Sequence, residues 1–372
     1  MENVSKKKQI DIQLLVIVGI LVVVGFLIFL SAALGITAQS GTKYSSIVFN
    51  QLVLGLIFGG IAATVIAHMP YTNWRKYSFW MFVGSIILTL MVFIPGLGLE
   101  AGGAKRWLMI GPLSFQPAEV LKISFVLYFA TWLSMVGKKG VQTFKFGLLP
   151  FLILSGVLSV VMLLQPDTDT LIVMIVAGAS MYFVAGGRIK HFLILALIAV
   201  IGLSVLIATR PYIKDRVLTF INPSSADAQG SGYQIQQSLI AIGSGGIAGR
   251  GFGQSLQKFN FLPEPIGDSI YAVAAEEFGF IGAFGLILLF LAFAWKGLKV
   301  ASNVGDPFGG LVTIGLVILI TTQSFWNIAA MLGVIPLSGL PLLFVSHGGT
   351  ALFFTLVAVG ILLNISRYQK TS

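Results

Sequence analysis

The chain has 372 residues, 56% of them hydrophobic and only 10% charged, with a net charge of +10 and a mean hydropathy of +0.95. That is too little polar side chain to cover a soluble globule, so much of the apolar surface must face lipid. The positive charge is spread over many short segments, which excludes a clustered nucleic-acid-binding face, and the absence of cysteine excludes disulfides, thiolate catalysis and Cys-ligated metals.

A helix needs about 20 apolar residues to cross a hydrocarbon core of roughly 30 Å. Such runs predict spans at about 13–35, 49–69, 77–95, 117–136, 146–165, 170–185, 191–208, 268–294, 309–331 and 347–366. The short alternating segments of a β-barrel are absent. The first run is too long for a signal peptide and lacks a small-residue cleavage site, so it reads as a retained helix. The sixth is short, and charge placement argues for keeping it. With ten spans, fourteen of the 23 basic residues fall on one side: Lys6, Lys7, Lys8, Arg75, Lys76, Lys138, Lys139, Lys145, Arg188, Lys190, Lys296, Lys299, Arg367 and Lys370. The positive-inside rule makes that side cytoplasmic. Most acids, including Asp227, fall on the other. The expectation is an all-α polytopic membrane protein, a single domain over 1–372, with ten transmembrane helices and both termini inside. One long extracytoplasmic loop, 209–267, separates helices seven and eight.

That loop is rich in Gly, Ser, Gln and charge, and long loops in compact proteins are usually functional. Within it, residues 232–253 (GYQIQQSLIAIGSGGIAGRGFG) follow an amphipathic run with closely spaced glycines, the pattern of a surface or re-entrant helix ending in a tight turn, or of a plain flexible lid. Four further polar clusters sit at outer helix ends: 103–122, 165–170, 262–279 and 336–349. Ionisable groups inside spans are costly, so Glu119, Lys122, Glu276 and Glu277 need partners, and Glu119 and Lys122 are spaced to meet on one helical face. Asp268 stands at the mouth of the eighth span. There a carboxylate is either an ordinary helix N-cap or a partly desolvated base with a raised pKa.

These clusters resemble the signatures of the SEDS family, the FtsW, RodA and SpoVE proteins. The matching residues are Lys105, Arg106 and Trp107; Gln116 to Glu119; Gln165, Pro166 and Asp167; the glycines of 243–246; Gln257 and Lys258; Leu262, Pro263 and Glu264; Asp268; Glu276, Glu277 and Gly279; and Ser346, Gly348 and Gly349. The stretch 257–268 (QKFNFLPEPIGD) looks more like FtsW than RodA. Asp169, Ser269, Leu343 and His347 depart from the family's frequent residues. The resemblance implies a peptidoglycan glycosyltransferase of cell division, acting on lipid II at the outer face of the bacterial cytoplasmic membrane, at the septum. It implies Asp268 as the catalytic base. Arg106, Lys122, Arg250 and Lys258 are the cations expected near the departing pyrophosphate, with Trp107 stacking on sugar and Lys105, Glu119, Gln165, Asp167, Glu264 and Ser346 as further substrate contacts. A divalent cation, Mg²⁺ or Mn²⁺, would suit oxygen ligands. The implied partners are a class B penicillin-binding protein that crosslinks the new strands, other division proteins and membrane lipids.

Two other functions stay open. A lipid II transporter would also have broken helices and intramembrane charge, but an inverted repeat is not evident and the polar clusters crowd one end instead of the midplane. A non-enzymatic division scaffold would have little need of Asp268.

Overall fold

A computed structural model describes residues 9–37, 41–101, 103–110, 113–222 and 230–370. Lys6, Lys7, Lys8 and Asp227, used above to orient the chain, lie outside these residues. Apolar stretches of membrane length become helices, as they must where no water can satisfy a free backbone. Helix α1 is Ile12–Thr37. Helices α2 (Gly41–Asn50) and α3 (Gly59–His68) join through a π-helical stretch, Gln51–Phe58, into one span. Then come α4 (Thr72–Leu90), α5 (Pro117–Val141), α6 (Leu149–Leu164), α7 (Thr168–Val184) and α8 (Ile189–Thr209). The long loop contributes α9 (Pro211–Ile221) and α10 (Ser231–Ser244), and α11 (Ile270–Asn303), α12 (Pro307–Met331) and α13 (Gly349–Ser366) complete the bundle. Among the described residues nine helices are long and apolar enough to cross a membrane. The short sixth run is the 17-residue α7, about 25 Å of helix. The protein is therefore a multi-pass helical membrane protein with spans where hydropathy predicts them.

Three details differ from expectation. Residues 98–115 form a small antiparallel sheet, β1 (Gly98–Ala101), β2 (Ala104–Ile110) and β3 (Leu113–Phe115), with Leu99 opposite Trp107 and Glu100 opposite Lys105. Residues 211–221, part of the expected loop, are the amphipathic α9. Helix α11 runs past Lys296 and Lys299, which charge placement assigns to a connection.

The start of α1 and the end of α13 share one end of the bundle. Lys296 Nζ lies 2.8 Å from Asp11 Oδ2, Asp11 N donates to Ser366 Oγ at 3.1 Å, and Tyr71 OH donates to Asp306 Oδ2 at 3.1 Å. These contacts gather the start of α1, the α3–α4 and α11–α12 connections and the ends of α11 and α13. The starts of α5, α7, α11 and α13 therefore lie at the opposite, distal end. Helices α12 and α13 form the core, burying 78% and 72% of their most apolar stretches, while α8 buries none of its own. Helix α13 seats against α3 along a seam of small residues; a Cβ at Gly360 would stand 2.7 Å from the Ala63 carbonyl oxygen.

Candidate active site

Asp268 sits at the distal end, just ahead of α11, and its main chain is held on three successive carbonyls. Ile266 O accepts from His347 N at 2.6 Å, Gly267 O from Ser346 Oγ at 2.7 Å, and Asp268 O from Asn327 Nδ2 at 2.7 Å. Asn327, fully buried on α12, also donates to Leu340 O at 2.8 Å, and Ser346 Oγ accepts from Leu342 N at 2.8 Å. Each bond nets about 1 kcal/mol, but their joint effect is positional. The 262–269 turn is clamped between α12 and the 336–348 segment, so the main chain sets where the carboxylate stands. The N-cap position of α11 is Ser269. Among the described residues no hydrogen bond ties the Asp268 carboxylate to the first helical turn, which removes the geometric basis for a simple capping role.

The electrostatics of this mouth are anionic. Burial is the largest cause that lifts the Asp268 carboxyl from 3.8 to about 7, the negative charges of Glu264 and Asp169 add to it, and the Arg216 guanidinium opposes them. A Cβ on Gly339 would lie 3.9 Å from Asp268 Oδ2, so only hydrogen stands on that side of the carboxylate. Gly339 N donates to Asp169 Oδ2 at 3.3 Å, and the same oxygen accepts from Arg216 Nη1 at 2.9 Å. Asp169, Gly339, Asp268, Glu264 and Arg216 thus form one neighbourhood built from α7, α9, the 336–348 segment and the turn before α11.

The other residues singled out from sequence divide into groups. Ser346 and Glu264 belong to the Asp268 turn, Ser346 as a buried clamp and Glu264 as an exposed carboxylate whose carbonyl accepts from Gly267 N and Ser269 N. Arg106, Gln165 and Asp167 form a bracket beside it. Arg106 donates to the carbonyls of Gln165 (3.0 Å) and Pro166, Gln165 Nε2 donates to Thr89 O at 2.6 Å, and Asp167 caps α7 while accepting from Gln116 Nε2 at 3.2 Å. Glu119 and Lys122 make a buried ion pair of 2.8 Å, and Lys122 also donates to Gln323 Oε1 at 2.7 Å. Lys105, 3.9 Å from Glu100, and Trp107 lie on the small sheet.

Lys258 and Arg250 are placed elsewhere. Lys258 Nζ is sealed against Glu277 Oε1 (2.7 Å), Gly253 O (2.9 Å) and Ser31 Oγ (3.1 Å), and Arg250 Nε lies 3.5 Å from Glu276 Oε1. Glu276 also accepts from Ser255 Oγ and from the amides of Leu256 and Gln257. Glu277 is nine residues along α11 from Asp268, roughly 13 Å deeper. These two cations anchor the loop to a broken helix: α11 is interrupted at Gly279 (φ 65°), where Phe280 N and Ile281 N donate to Gly246 O and Ile247 O, and Arg250 N and Gly251 N donate to Glu276 O and Glu277 O. The glycines at 245, 249 and 279 permit this crossing, since a Cβ on any of them would collide with the opposing backbone.

Sequence reasoning missed Arg216 and Asn327 as members of the site and treated Asp169 only as a departure from a pattern. For Asn327 a signal existed, because an amide amid an apolar span demands buried partners. Among the described residues no three of His, Cys, Asp or Glu converge to hold a metal ion.

The fold and this site define a polytopic helical membrane protein with a carboxylate of raised pKa at the mouth of α11. Its relatives place it more closely. The chain belongs to the FtsW/RodA/SpoVE family, described as cell cycle protein, whose model matches residues 12–371. It is 40% identical over 318 residues to stage V sporulation protein E of Bacillus subtilis, covering 85% of this chain and 86% of that one. It is 38% identical over 312 residues to the probable peptidoglycan glycosyltransferase FtsW of Geobacter metallireducens, covering 84% and 83%. A chain in a solved peptidoglycan synthase complex, described as coordinating polymerization and crosslinking, aligns with a TM-score of 0.80 at 26% identity over 97% of this chain and 99% of that one. The crystal structure of RodA from Thermus thermophilus shares the fold, with a TM-score of 0.70 at 23% identity over 98% of each chain.

Proposed function

We propose that this protein is a peptidoglycan glycosyltransferase that polymerises lipid II into glycan strands, with Asp268 as general base. One observation carries the reading: a carboxylate held by its own main chain at a helix mouth, its pKa lifted to about 7, where a base works best near neutral pH. The names of the FtsW relatives and the polymerization attributed to the similar synthase complex support it. An acceptor sugar hydroxyl attacks the donor's anomeric carbon and passes its proton to the Asp268 carboxylate. The new C–O bond forms as the bond to the pyrophosphate oxygen breaks, and the lipid pyrophosphate departs as an anion. Lys122 and Arg106, engaged with Glu119 and with main-chain carbonyls, shape the walls of the site in this reading.

A divalent cation, Mg²⁺ or Mn²⁺, would be held by the diphosphate oxygens beside the Asp268 mouth and would supply positive charge to the departing pyrophosphate. The distal end faces outward across the cytoplasmic membrane, and the protein works at the division septum beside a class B penicillin-binding protein. The test is polymerisation of lipid II by purified protein, with and without that transpeptidase, followed by gel separation of glycan strands. The parent is expected to make strands and Asp268→Asn to make almost none. A parent that moves lipid II across vesicles without making strands would replace the polymerase by a transporter. Asp268→Asn with parental activity would remove the base.

A further inference from the structure

The departing pyrophosphate needs a cation near Asp268, and the basic residues expected there are spent elsewhere. Lys122 and Lys258 are sealed in buried ion pairs with Glu119 and Glu277. Arg250 lies against Glu276 and Arg106 donates to carbonyls. Arg216 differs in position: Arg250, though 37% exposed, anchors the loop at Glu276, away from Asp268. Arg216 lies on α9 beside the mouth, its side chain retains 29% exposure, and its Nη1 is engaged by one carboxylate oxygen, Asp169 Oδ2, at 2.9 Å. That oxygen also accepts from Gly339 N, and Gly339 borders the Asp268 carboxylate, so the guanidinium sits one small residue away from the reacting group. A guanidinium presents five donors in a planar fork that matches phosphate as well as carboxylate.

We propose that Arg216 is the residue that takes the donor's diphosphate, giving up its Asp169 partner for phosphate oxygens when substrate enters. The idea rests on the polymerase reading above and adds a named binding group to it. Asp169 then has two tasks: it holds the guanidinium in place while the site is empty, and it keeps one more negative charge beside Asp268. The chemistry explains why an arginine is tolerated among Asp169, Glu264 and Asp268 without closing onto the base. Its bonded partner is a carboxylate that a diphosphate, with more negative charge and a matching pair of oxygens, displaces.

The groups that set the charge at Asp268 are Glu264 on its own turn, Asp169 on α7 and Arg216 on α9, so the variants have distinct signatures. Inorganic pyrophosphate binding is followed by calorimetry, independently of turnover, alongside lipid II kinetics across pH. Arg216→Gln is expected to weaken pyrophosphate binding and raise KM for lipid II by about 10- to 100-fold, the loss of one charge-assisted bidentate contact. The midpoint of its pH–rate profile should move upward, because Glu264 and Asp169 then act on Asp268 unopposed. Arg216→Lys should recover part of both. Asp169→Asn should tighten pyrophosphate several-fold and move the midpoint downward, and it decides the matter alone if Arg216→Gln does not fold. Unchanged pyrophosphate affinity in Arg216→Gln, or unchanged or weaker affinity in Asp169→Asn, overturns the proposal. A parent that binds pyrophosphate through Arg216 but makes no strands leaves the binding site standing and removes the polymerase.

Discussion

Replacing Asp268 by asparagine should abolish turnover and at the same time stabilise the protein, in a pH-dependent way. The catalytic loss follows from removing a general base, about 10²–10⁴ in rate. The gain follows from the energetics of the mouth. The folded carboxyl titrates near 7 and its reference value is 3.8, so the fold disfavours the ionised form by at most about 4 kcal/mol. Part of the residue still reaches water, which reduces that figure, and about 1–2 kcal/mol is expected. The sign is that of a raised acid. Its favourable contribution is complete below about 3.8, shrinks as pH rises and is lost above about 7. The amide that replaces the carboxyl titrates nowhere in this range. Thermal unfolding in detergent should show Asp268→Asn matching the parent near pH 4 and exceeding it by a few degrees at pH 8, with the parent's rate rising through about pH 7. A variant less stable than the parent at both values would mean that the carboxylate holds the turn together, contrary to the backbone clamp. Polymerisation by the variant within a few-fold of the parent at pH 8 would refute the base.

Asn327→Ala removes the donor to Asp268 O and Leu340 O; it should cost about 1–3 kcal/mol and lower kcat at least 10-fold with KM nearly unchanged, and parental kcat would show that the clamp does not aim the base. Lys258→Ala strands Glu277 in the bundle and should cost about 3–5 kcal/mol, whereas Lys258→Met with Glu277→Gln should recover most of the folded yield; equal losses in both would point away from the ion pair. Chelation with EDTA should suppress strand synthesis and Mg²⁺ or Mn²⁺ should restore it, so undiminished synthesis in EDTA would dispose of the cation. In this cysteine-free chain, a single Cys at Gln254 should label with an impermeant maleimide in intact cells and one at Lys299 should not, and the reverse pattern would invert the topology.

Much of the bundle is legible in the sequence because lipid leaves the chain few choices. Runs such as 12–37 and 349–366 have no polar alternative to helix, and even the 17-residue α7 is recovered once charge placement is weighed. The small sheet at 98–115 escapes because its strands are three to seven residues long and sit on the loop side of the interface, where hydropathy says nothing. In the site, the Glu119–Lys122 pair follows from spacing, whereas position alone suits Asp268 to a helix N-cap as well as to a base, and only the family resemblance singles it out. Arg216 is legible from neither, since an arginine on a short amphipathic helix looks like any solvated charge until the fold brings it to Asp169. Lys258 shows the converse. A lysine in a glycine-rich outer loop reads as a phosphate ligand, and only the broken α11 reveals the buried Glu277 waiting for it.

The bare flanks of α8 carry a consequence for how this protein should be handled. Its most apolar stretch has a hydropathy of 2.9 and no fully buried residue; apart from the contacts of His191, Phe192 and Leu195 near its start, it is left for lipid to cover. Bilayer thickness, acyl-chain order and the choice of detergent therefore act on this helix almost as ligands do. α9, which carries Arg216, follows directly from α8 and packs against it, so a shift of α8 in the bilayer would be felt beside the mouth of the site. Activities compared between micelles, nanodiscs and native membranes should therefore differ even when the remaining spans are unchanged.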